Sequence, residues 1–284
     1  MGAALPPDAH AQAPLVALLT DFGTADGYVG VMKAVILGIA PGVPLVDLTH
    51  EIPPRDIRAG AWVLHTSWRA LPAGSVCLGV VDPGVGTARR AVAFAAGERF
   101  CVGPDNGLFG YLLAVTPASA AVALDNPRYQ LPSPSATFHG RDIFAPAAGH
   151  LAAGLPLAAL GSAIAPESLT ALALRQPVRQ GDDLVGQILH VDHYGNLITD
   201  IGPRLAAALL VRVAPDGPLR VGQHAVTAAA QTFADGPAGE PFALVDSSGH
   251  LAVALRDGSA AARLGVGVGT EVRVAGGASL LPHE

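Results

Sequence analysis

The chain has 284 residues, of which 50% are hydrophobic and 14% charged, and its formal net charge is −6. A chain of this length can bury a large core and favours two domains over one. The 17 basic residues include a single lysine, Lys33, and no basic run of the kind that neutralises a phosphate backbone. Nucleic acid is therefore not an expected partner.

Targeting signals and reactive cysteines are not apparent either. No stretch of about 18 apolar residues is free of Gly, Pro or charge, so no membrane span is predicted. The N-terminal segment, 1–14, lacks the basic and apolar regions of a signal peptide, and we expect a cytoplasmic protein. Cys77 and Cys101 lie in apolar runs without metal-ligand spacing, which predicts two buried thiols.

The first part of the chain, from residue 14 to about 169, alternates between strand and helix patterns. Short apolar runs ending in a polar residue are typical of strands buried in a parallel sheet, and longer runs between them have helical length. The segments in order are LVALLTDFG, YVGVMKAVILGIAPG, VPLVDLTH, IRAGAWVLHTSWRALPAG, SVCLGVVD and AVAFAAGERFCVGPDNG. This alternation predicts a layered α/β domain with a mainly parallel sheet over 14–171.

Polarity rises over 172–183, which we interpret as a linker. Beyond it, short strand-like runs are separated by Gly, Pro, Asp and Asn. The runs are LVGQILHVDHYGNLITDI, LLVRVAP, LRVGQHAVTAAA, EPFALVDSSGHLAVAL and TEVRVAGG. Such a pattern predicts a smaller all-β barrel or sandwich domain over 184–278.

Polar residues close the first three predicted strands. Asp21 ends the first, the Thr49-His50-Glu51 group ends the second, and Asp82 ends the third. Ligands of open α/β sheets bind beyond the carboxyl ends of the strands, so these positions are candidate site residues. A turn in which the carboxylate caps backbone amides explains each acid equally well when it is taken alone.

The stretch VVDPGVGTARR adds two arginines to the third strand end. A guanidinium stays charged and offers a rigid fork of donors, so Arg89 can fold back and hold Asp82 ionised and oriented. The alternative is a solvated pair. A phosphate loop is disfavoured, because the stretch lacks the Gly-Lys-Ser/Thr ending of a P-loop and the spacing of a dinucleotide fingerprint.

A third cluster, His139-Gly140-Arg141-Asp142, stands just before an apolar helix-like run. A lone histidine is more often structural than catalytic, but one at a glycine turn beside a helix start can face a cleft and titrate near neutrality. Asp142 is explained simply as an acid that favours the helix N-terminus.

The stretch HVDHYGNLITD lies in the second domain. His190, Asp192 and His193 suggest a metal site, but in a strand residues 190 and 192 share one face while 193 points to the other. Asn196 offers a donor and an acceptor, as reading a purine edge requires, although Gly195-Asn196 is also explained as a turn.

Paired hydroxyls, Ser247 and Ser248, stand at a further strand end in VDSSGHLAVAL. They are able either to bind a carboxylate or only to close a hairpin. The residues alone do not choose between these two interpretations.

Eight motifs in this order resemble the S-adenosylmethionine hydroxide adenosyltransferase family, which is related to fluorinase and chlorinase. They are TDFG, YVGVMKAVI, DLTHEIPP, VVDPGVGTARR, VGPDNGLF, FHGRDIFAPAAGHLA, DHYGNLITD and SSGHLAVAL. The resemblance covers about 15–274. It implies an S-adenosyl-L-methionine hydrolase in which water attacks C5′ by in-line displacement and gives adenosine and L-methionine, without metal or redox cofactor.

Residue roles also follow from the resemblance. Asp82, Arg89 and His139 match the catalytic Asp-Arg-His set that orients and activates the water. The matched substrate-binding residues are Asp21 for the ribose hydroxyls, Asp192 for the methionine amino group, Asn196 for adenine and Ser247 near the methionine carboxylate, with Asn106 and Tyr194 in the same motifs. The family further implies a homotrimer with the site between the first domain of one chain and the second domain of its neighbour.

The halogenating relatives bind the same substrate but desolvate a halide. Where they carry a Tyr-Pro-Ala-Thr segment this chain has Asp82-Pro83-Gly84-Val85, and Gly140 replaces their serine. A carboxylate repels a halide, so the sequence favours water as the nucleophile. Ser248 departs from the arginine that those relatives use for the methionine carboxylate.

Two other functions are compatible with parts of this pattern. A sensory protein that binds S-adenosylmethionine or adenosine without turnover needs Asp21 and Asn196 but not the Asp-Arg-His set. A metal-dependent hydrolase needs His190, Asp192 and His193 as ligands.

Overall fold

The computed structural model describes residues 14–172, 175–213, 217 and 219–281. The chain divides into two compact units at residues 173/174. This division lies in the segment predicted as a linker, which also contains a short strand and the first residue of the next one. The predicted N-terminal tail lies outside the described residues, apart from Pro14.

The first unit is built from seven strands and four helices. They are β1 (Val16–Thr20), α1 (Tyr28–Ile39), β2 (Leu45–Thr49), α2 (Ile57–Ser67), β3 (Val76–Val80), β4 (Ala91–Ala96), β5 (Arg99–Pro104), α3 (Gly110–Val115), β6 (Ala118–Ala123), α4 (Ala145–Ala152) and β7 (Ala163–Ile164). The strand order is β2-β1-β3-β5-β4-β6-β7. The first four strands in this order pair in parallel and the remaining pairs are antiparallel.

Apolar cores cover both faces of this sheet. Val16 and Leu18 of β1 pack into one core, and Ala17 and Leu19 pack into the other, because successive strand residues point to opposite faces. Helices α1 and α4 contribute to the first core, and α2 and α3 contribute to the second. The near-continuous hydrophobic runs in the sequence predict strands that are apolar on both faces, as found here. The predicted layered α/β architecture is confirmed.

The second unit is dominated by one curved, barrel-like sheet. Its elements are β8 (Val178–Gln180), β9 (Asp183–Val191), β10 (Leu197–Thr199), α5 (Pro203–Leu210), β11 (Leu219–Val221), β12 (His224–Val226), β13 (Ala228–Ala229), β14 (Pro241–Val245), β15 (Leu251–Leu255), α6 (Ala260–Leu264) and β16 (Glu271–Val274). The strand order is β12-β11-β16-β9-β10-β15-β14-β13, and β8 pairs with β9. The predicted β-barrel architecture of this unit is confirmed, and two short helices, α5 and α6, accompany the sheet.

One predicted strand of the second unit is wrong. The run LLVRVAP begins with Leu209 and Leu210, which are the last two residues of helix α5. Pro203 occupies the first turn of this helix, where its missing N–H costs nothing, and the following leucines and alanines are good helix formers. Leu209 packs into the core of the unit, so burial as well as propensity favours the helix. The end of the run, 214–215, lies outside the described residues.

Candidate active site

The parallel part of the first sheet brings several predicted site residues to one edge. Strands β1, β3 and β5 run in the same direction, so their carboxyl ends meet there. Asp21 follows β1, Asp82 comes two residues after β3, and Asn106 comes two residues after β5. This is the edge at which ligands of α/β sheets bind.

The carboxylate of Asp82 is held by Arg89. Arg89 Nε lies 3.0 Å from both carboxylate oxygens of Asp82, and Arg89 Nη2 makes a further contact with Oδ2. The side chains are only 4% and 10% exposed, so the alternative of a solvated pair is wrong. Bidentate pairing of this kind fixes both the charge and the orientation of a carboxylate.

His139 extends this pair into a set of three. Arg89 Nη2 donates to His139 Nδ1 at 2.8 Å. A guanidinium has only donors, so Nδ1 must be an acceptor and the neutral imidazole carries its proton on Nε2. Burial lowers the pKa of His139 below its ordinary value of 6.5, and the nearby charge of Arg89 acts in the same direction. The ring therefore presents a neutral N–H donor from Nε2.

The loop between Asp82 and Arg89 approaches the segment before His139 very closely. Gly86 has φ +76°, and a Cβ built there would lie 2.4 Å from the carbonyl oxygen of Ala136. Only glycine fits this left-handed position at this distance. The second glycine of DPGVG thus lets the two parts of the Asp-Arg-His set meet, although 50 residues separate Arg89 from His139.

The start of helix α4 positions His139 and its neighbours. Residues Gly140–Phe144 form a π-helical turn directly before α4, and the guanidinium of Arg89 lies 5.1 Å from the centre of the Phe144 ring. Asp142 lies in the first turn of this segment, as predicted, but its carboxylate accepts from Arg141 Nε at 2.6 Å and from the Ser135 backbone at 2.8 Å. The hydrogen bond from Arg141 is the main cause that lowers the pKa of Asp142. Asp142 therefore holds the loop before His139.

Asp21 and Asn106 use their polar groups within the chain. Asp21 Oδ2 accepts from the backbone N–H of Arg55 at 2.7 Å. Asn106 Nδ2 donates to the carbonyl of Val81 at 2.8 Å, and its Oδ1 accepts from Leu108 N at 3.1 Å. Asn106 thus supports the end of β3 directly before Asp82. Substrate contacts of either residue stay predictions.

Arg90 has a different partner from Arg89. Its Nε donates to Asp105 Oδ2 at 2.9 Å, and its Nη1 donates to Ser168 Oγ at 3.0 Å. Asp105 Oδ1 accepts in turn from Thr170 N at 2.6 Å. This network ties strands β4 and β5 to the segment 168–170. Sequence analysis did not predict this network, and the adjacency of the two arginines was the one signal that pointed to it.

The first unit contains a cavity of about 380 Å³, and two of its lining residues are the sequence neighbours of Asp21 and His139. It is lined by Phe22, Tyr28, Ser135, Thr137, Phe138 and Arg141. Three of the lining side chains form edge-to-face aromatic contacts, with ring centres 5.3 to 6.0 Å apart. Its volume and mixed aromatic and polar lining are in the range of small-molecule sites. Sequence analysis named Arg141 but did not single out the three aromatic residues, because aromatic side chains are also the usual core residues.

In the second unit, Asp192, Tyr194 and Asn196 form one tight turn between β9 and β10. Asp192 Oδ1 accepts from the backbone N–H groups of Tyr194 and Asn196, both at 2.9 Å, and Oδ2 accepts from Asn196 Nδ2 at 2.8 Å. Gly195 supplies the left-handed residue of the turn. Asn196 is buried and the Tyr194 side chain is 74% exposed. The turn interpretation is correct for the backbone, and substrate contacts of these residues stay predictions.

Ser247 and Ser248 lie in the turn between β14 and β15. Ser247 is exposed. Ser248 Oγ lies 2.7 Å from Asp246 Oδ1 and 2.9 Å from His250 Nδ1. Its hydroxyl therefore stabilises the hairpin, and a substrate contact of Ser247 stays a prediction.

The metal-site alternative finds no support in the geometry. Across the described ranges, no group of three or more His, Cys, Asp and Glu side chains converges as metal ligands. Asp192, one of the three suggested ligands, already accepts three hydrogen bonds in its own turn. Cys77 and Cys101 are buried free thiols on neighbouring strands, as predicted. None of the described helices is long and apolar enough to span a membrane.

Comparisons with known proteins agree with this geometry. Family profiles described as the SAM hydroxide adenosyltransferase N-terminal and C-terminal domains match residues 16–161 and 186–273. A relative from Salinispora arenicola named (R)-S-adenosyl-L-methionine hydrolase is 43% identical, over 94% of this chain and 100% of its own. A relative from an Actinoplanes species named fluorinase is 30% identical, over 85% of this chain and 90% of its own.

A solved structure gives the same result for the fold. An uncharacterized conserved protein from Thermotoga maritima superposes with a TM-score of 0.86 and 36% identity, over 92% of this chain and 100% of its own. The resemblance inferred from the eight motifs is therefore confirmed. This chain belongs to the SAM hydroxide adenosyltransferase family.

Proposed function

We propose that the chain is an S-adenosyl-L-methionine hydrolase that forms adenosine and L-methionine. The observation that carries this proposal is the hydrogen-bonded set of Asp82, Arg89 and His139 beyond the end of β3. Relatives named as hydrolases of this substrate, 43% identical over 94% of the chain, support the same activity.

The chemistry follows from the substrate. Its sulfonium makes methionine a neutral leaving group from the primary carbon C5′, so in-line displacement by water needs little acid catalysis. Water supplies the new C–O bond, the C–S electron pair leaves with methionine, and one proton is released. Positioning the water opposite the C–S bond is then the main task of the protein, and good orientation contributes up to about 7–11 kcal/mol.

The three residues have distinct roles in this proposal. Asp82 accepts a hydrogen bond from the water, which raises the electron density on the water oxygen and makes it a better nucleophile. Arg89 fixes the orientation of that carboxylate through its hydrogen bonds to both oxygens. His139 donates from Nε2 to the water or to the ribose, because its Nδ1 is already occupied by Arg89. The proton of the water therefore moves toward Asp82 and not toward His139.

A halogenase is the second candidate, because the chain also has relatives named fluorinase. Two observations favour water. The buried carboxylate of Asp82 opposes the entry of a halide. At Gly140, a Cβ would come within 3.2 to 3.4 Å of Met32 and two aromatic rings, so there is little room for a side chain that would donate to an ion.

The cavity lined by Phe22, Tyr28 and Phe138 is proposed to receive part of the substrate. Aromatic ring faces attract cations, and S-adenosylmethionine carries a sulfonium. Asp21, whose carboxylate is fixed by Arg55 N, binds the ribose hydroxyls in this proposal. Asp192, Asn196, Tyr194 and Ser247 bind the adenine and the methionine moiety, and Asn106 supports the site from behind. No metal or redox cofactor is required, and the reaction takes place in the cytoplasm.

We further propose a homotrimer in which the second unit of a neighbouring chain completes the site. The division of the proposed residues between the two units supports this arrangement, since Asp82 lies in one unit and Asp192 in the other. The test mixes two inactive variants, D82N and D192N, after joint refolding. Recovered activity supports a shared site, whereas no recovery from well-folded mixed oligomers contradicts it. Analytical ultracentrifugation measures the number of subunits.

The activity itself is tested with chelator-treated protein and S-adenosylmethionine in oxygen-18 water. We expect adenosine labelled at its 5′ oxygen from the wild type and from a control, D125N, whose carboxylate only holds the loop at Ser162. The variants D82N and H139A should form little labelled adenosine while calorimetry still detects substrate binding. Tight binding by the wild type without labelled product would instead support a sensory protein.

A further inference from the structure

A buried polar network lies next to Asp21 and has no part in the functions described so far. Thr20, the last residue of β1, is 0% exposed, and His50, just after β2, is 4% exposed. Thr20 Oγ1 lies 2.9 Å from His50 Nδ1. Polar groups are costly to bury unless they have partners, so a Thr-His pair in an apolar sheet needs an explanation.

The network controls the backbone on both sides of Asp21. Thr20 Oγ1 accepts from the N–H of Phe22 at 3.2 Å, which closes a turn around Asp21. The carbonyl of His50 accepts from Gly23 N at 2.8 Å. His50 therefore acts on this turn twice, through its ring on Thr20 and through its backbone on Gly23.

The outer end of the network reaches the surface at Lys33. His50 Nε2 lies 2.9 Å from Asp47 Oδ1, although the direction of this contact is poor for a hydrogen bond. The other oxygen of Asp47 lies 2.6 Å from Lys33 Nζ. Burial raises the pKa of Asp47, but the contacts with Lys33 and His50 outweigh this effect, so the pKa lies below its ordinary value of 3.8. An ionised carboxylate thus lies next to the histidine ring, while the hydrogen bond with Thr20 orients the ring from Nδ1.

The pairing of β1 and β2 is irregular at this place. Leu18 pairs with Asp47, whereas Leu19 pairs with Thr49, so one residue of β2 is skipped. Such bulges change the direction of the residues that follow them and are common next to active sites. Here His50 is the residue that follows, and it reaches the end of β1.

We propose that Thr20 and His50 are positioning residues that hold the Asp21 carboxylate in the orientation needed to bind the ribose hydroxyls. This inference rests on the proposed function, which gives Asp21 that role. Neither residue touches the Asp82, Arg89 and His139 set, so the step catalysed by that set stays intact when the network is cut. Loss of the network weakens substrate binding and leaves turnover at saturation nearly unchanged.

The test removes one hydroxyl with little change of volume. In T20V we expect KM for S-adenosylmethionine to rise about tenfold, with kcat within about twofold of the wild type. T20S keeps the hydroxyl and should restore KM. H50N keeps a polar group near the Nδ1 position and should raise KM less than H50L does. Unchanged KM in T20V and H50L would overturn the proposal.

A matched control separates positioning from general loosening of the sheet. Ser75 is also fully buried, and among the described residues its hydroxyl has no hydrogen-bond partner. It precedes β3, at the other end of the strands from Asp21. S75A should leave KM and kcat unchanged. Thermal unfolding of all variants identifies any that fail to fold. If T20V is one of them, the comparison of H50N with H50L replaces it as the test.

A double variant decides whether Thr20 acts through Asp21. If it does, T20V adds little to the raised KM of D21N, whereas independent effects multiply and contradict the proposal. The dissociation constant of S-adenosylmethionine is measured in parallel by calorimetry. Wild-type protein that binds but makes no adenosine refutes the proposed hydrolase and still leaves the positioning role measurable. Turnover by the wild type with an unchanged dissociation constant in T20V and H50L refutes the positioning role alone.

Discussion

Gly86 offers the sharpest test of how the Asp-Arg-His set is assembled. In G86A the new Cβ would stand 2.4 Å from the carbonyl oxygen of Ala136. Ordinary C···O approaches are about 3.3 Å, so the loop must retreat by about 1 Å. Arg89 follows three residues later and donates to His139 at 2.8 Å. A retreat of this size breaks that hydrogen bond.

The expected size of the effect has two parts. An alanine at φ +76° costs about 1–2 kcal/mol of folding free energy, because left-handed backbone is unfavourable for residues with a Cβ. Misplacement of a catalytic group by about 1 Å lowers the rate about 100-fold. We therefore expect kcat for adenosine formation to fall about 100-fold in G86A, together with a lower free energy of unfolding.

G97A is the matched control for this prediction. Gly97 has φ +54° in the hairpin between β4 and β5, but its Cβ would lie an ordinary 3.6 Å from Thr116. G97A therefore has the backbone cost without the close approach. Chromatography of adenosine gives kcat, and urea titration gives the unfolding free energy. If kcat of G86A stays within about threefold of G97A, the close approach does not assemble the site and this reasoning is refuted.

Two further predictions concern pH. Protonation of His139 places a second cation beside Arg89, and burial keeps the pKa of His139 below 6.5, so kcat should fall only in acid below that value. The variant H139N keeps a hydrogen-bond acceptor but does not titrate, so its pH profile of kcat should lack this acid limb. An unaltered acid limb in H139N would contradict the assignment. Burial raises the pKa of Asp200 from 3.8 to about 6, so its ionisation opposes folding as pH rises through that range. The shift corresponds to about 3 kcal/mol, or about 2 kcal/mol after solvent screening, and D200N should be more stable than the wild type by that amount at pH 7.5 but not at pH 4. Urea titrations at both pH values check this, and an equal difference at both would be inconsistent with the titration of Asp200.

Local patterns were sufficient for most of the elements and for the family. Apolar runs of five or six residues ending in an acid predict buried parallel strands, and β1 and β3 are such strands. The LLVRVAP run failed because short apolar segments do not distinguish a strand from a buried helix. Leu209 and Leu210 are helical because Pro203 starts helix α5 and the core of the second unit packs against one side of this helix.

The sequence by itself determined which polar residues stand at strand ends, which glycines close the loops and which family the motifs belong to. Only the tertiary structure decided the partners of those residues. Arg89 and Arg90 are adjacent, yet one binds Asp82 and the other Asp105, because successive residues of an extended chain point to opposite sides. His139 meets Arg89 across 50 residues, and His50 meets Thr20 across 30. Such contacts depend on how strands are ordered in the sheet, and no local pattern contains that order.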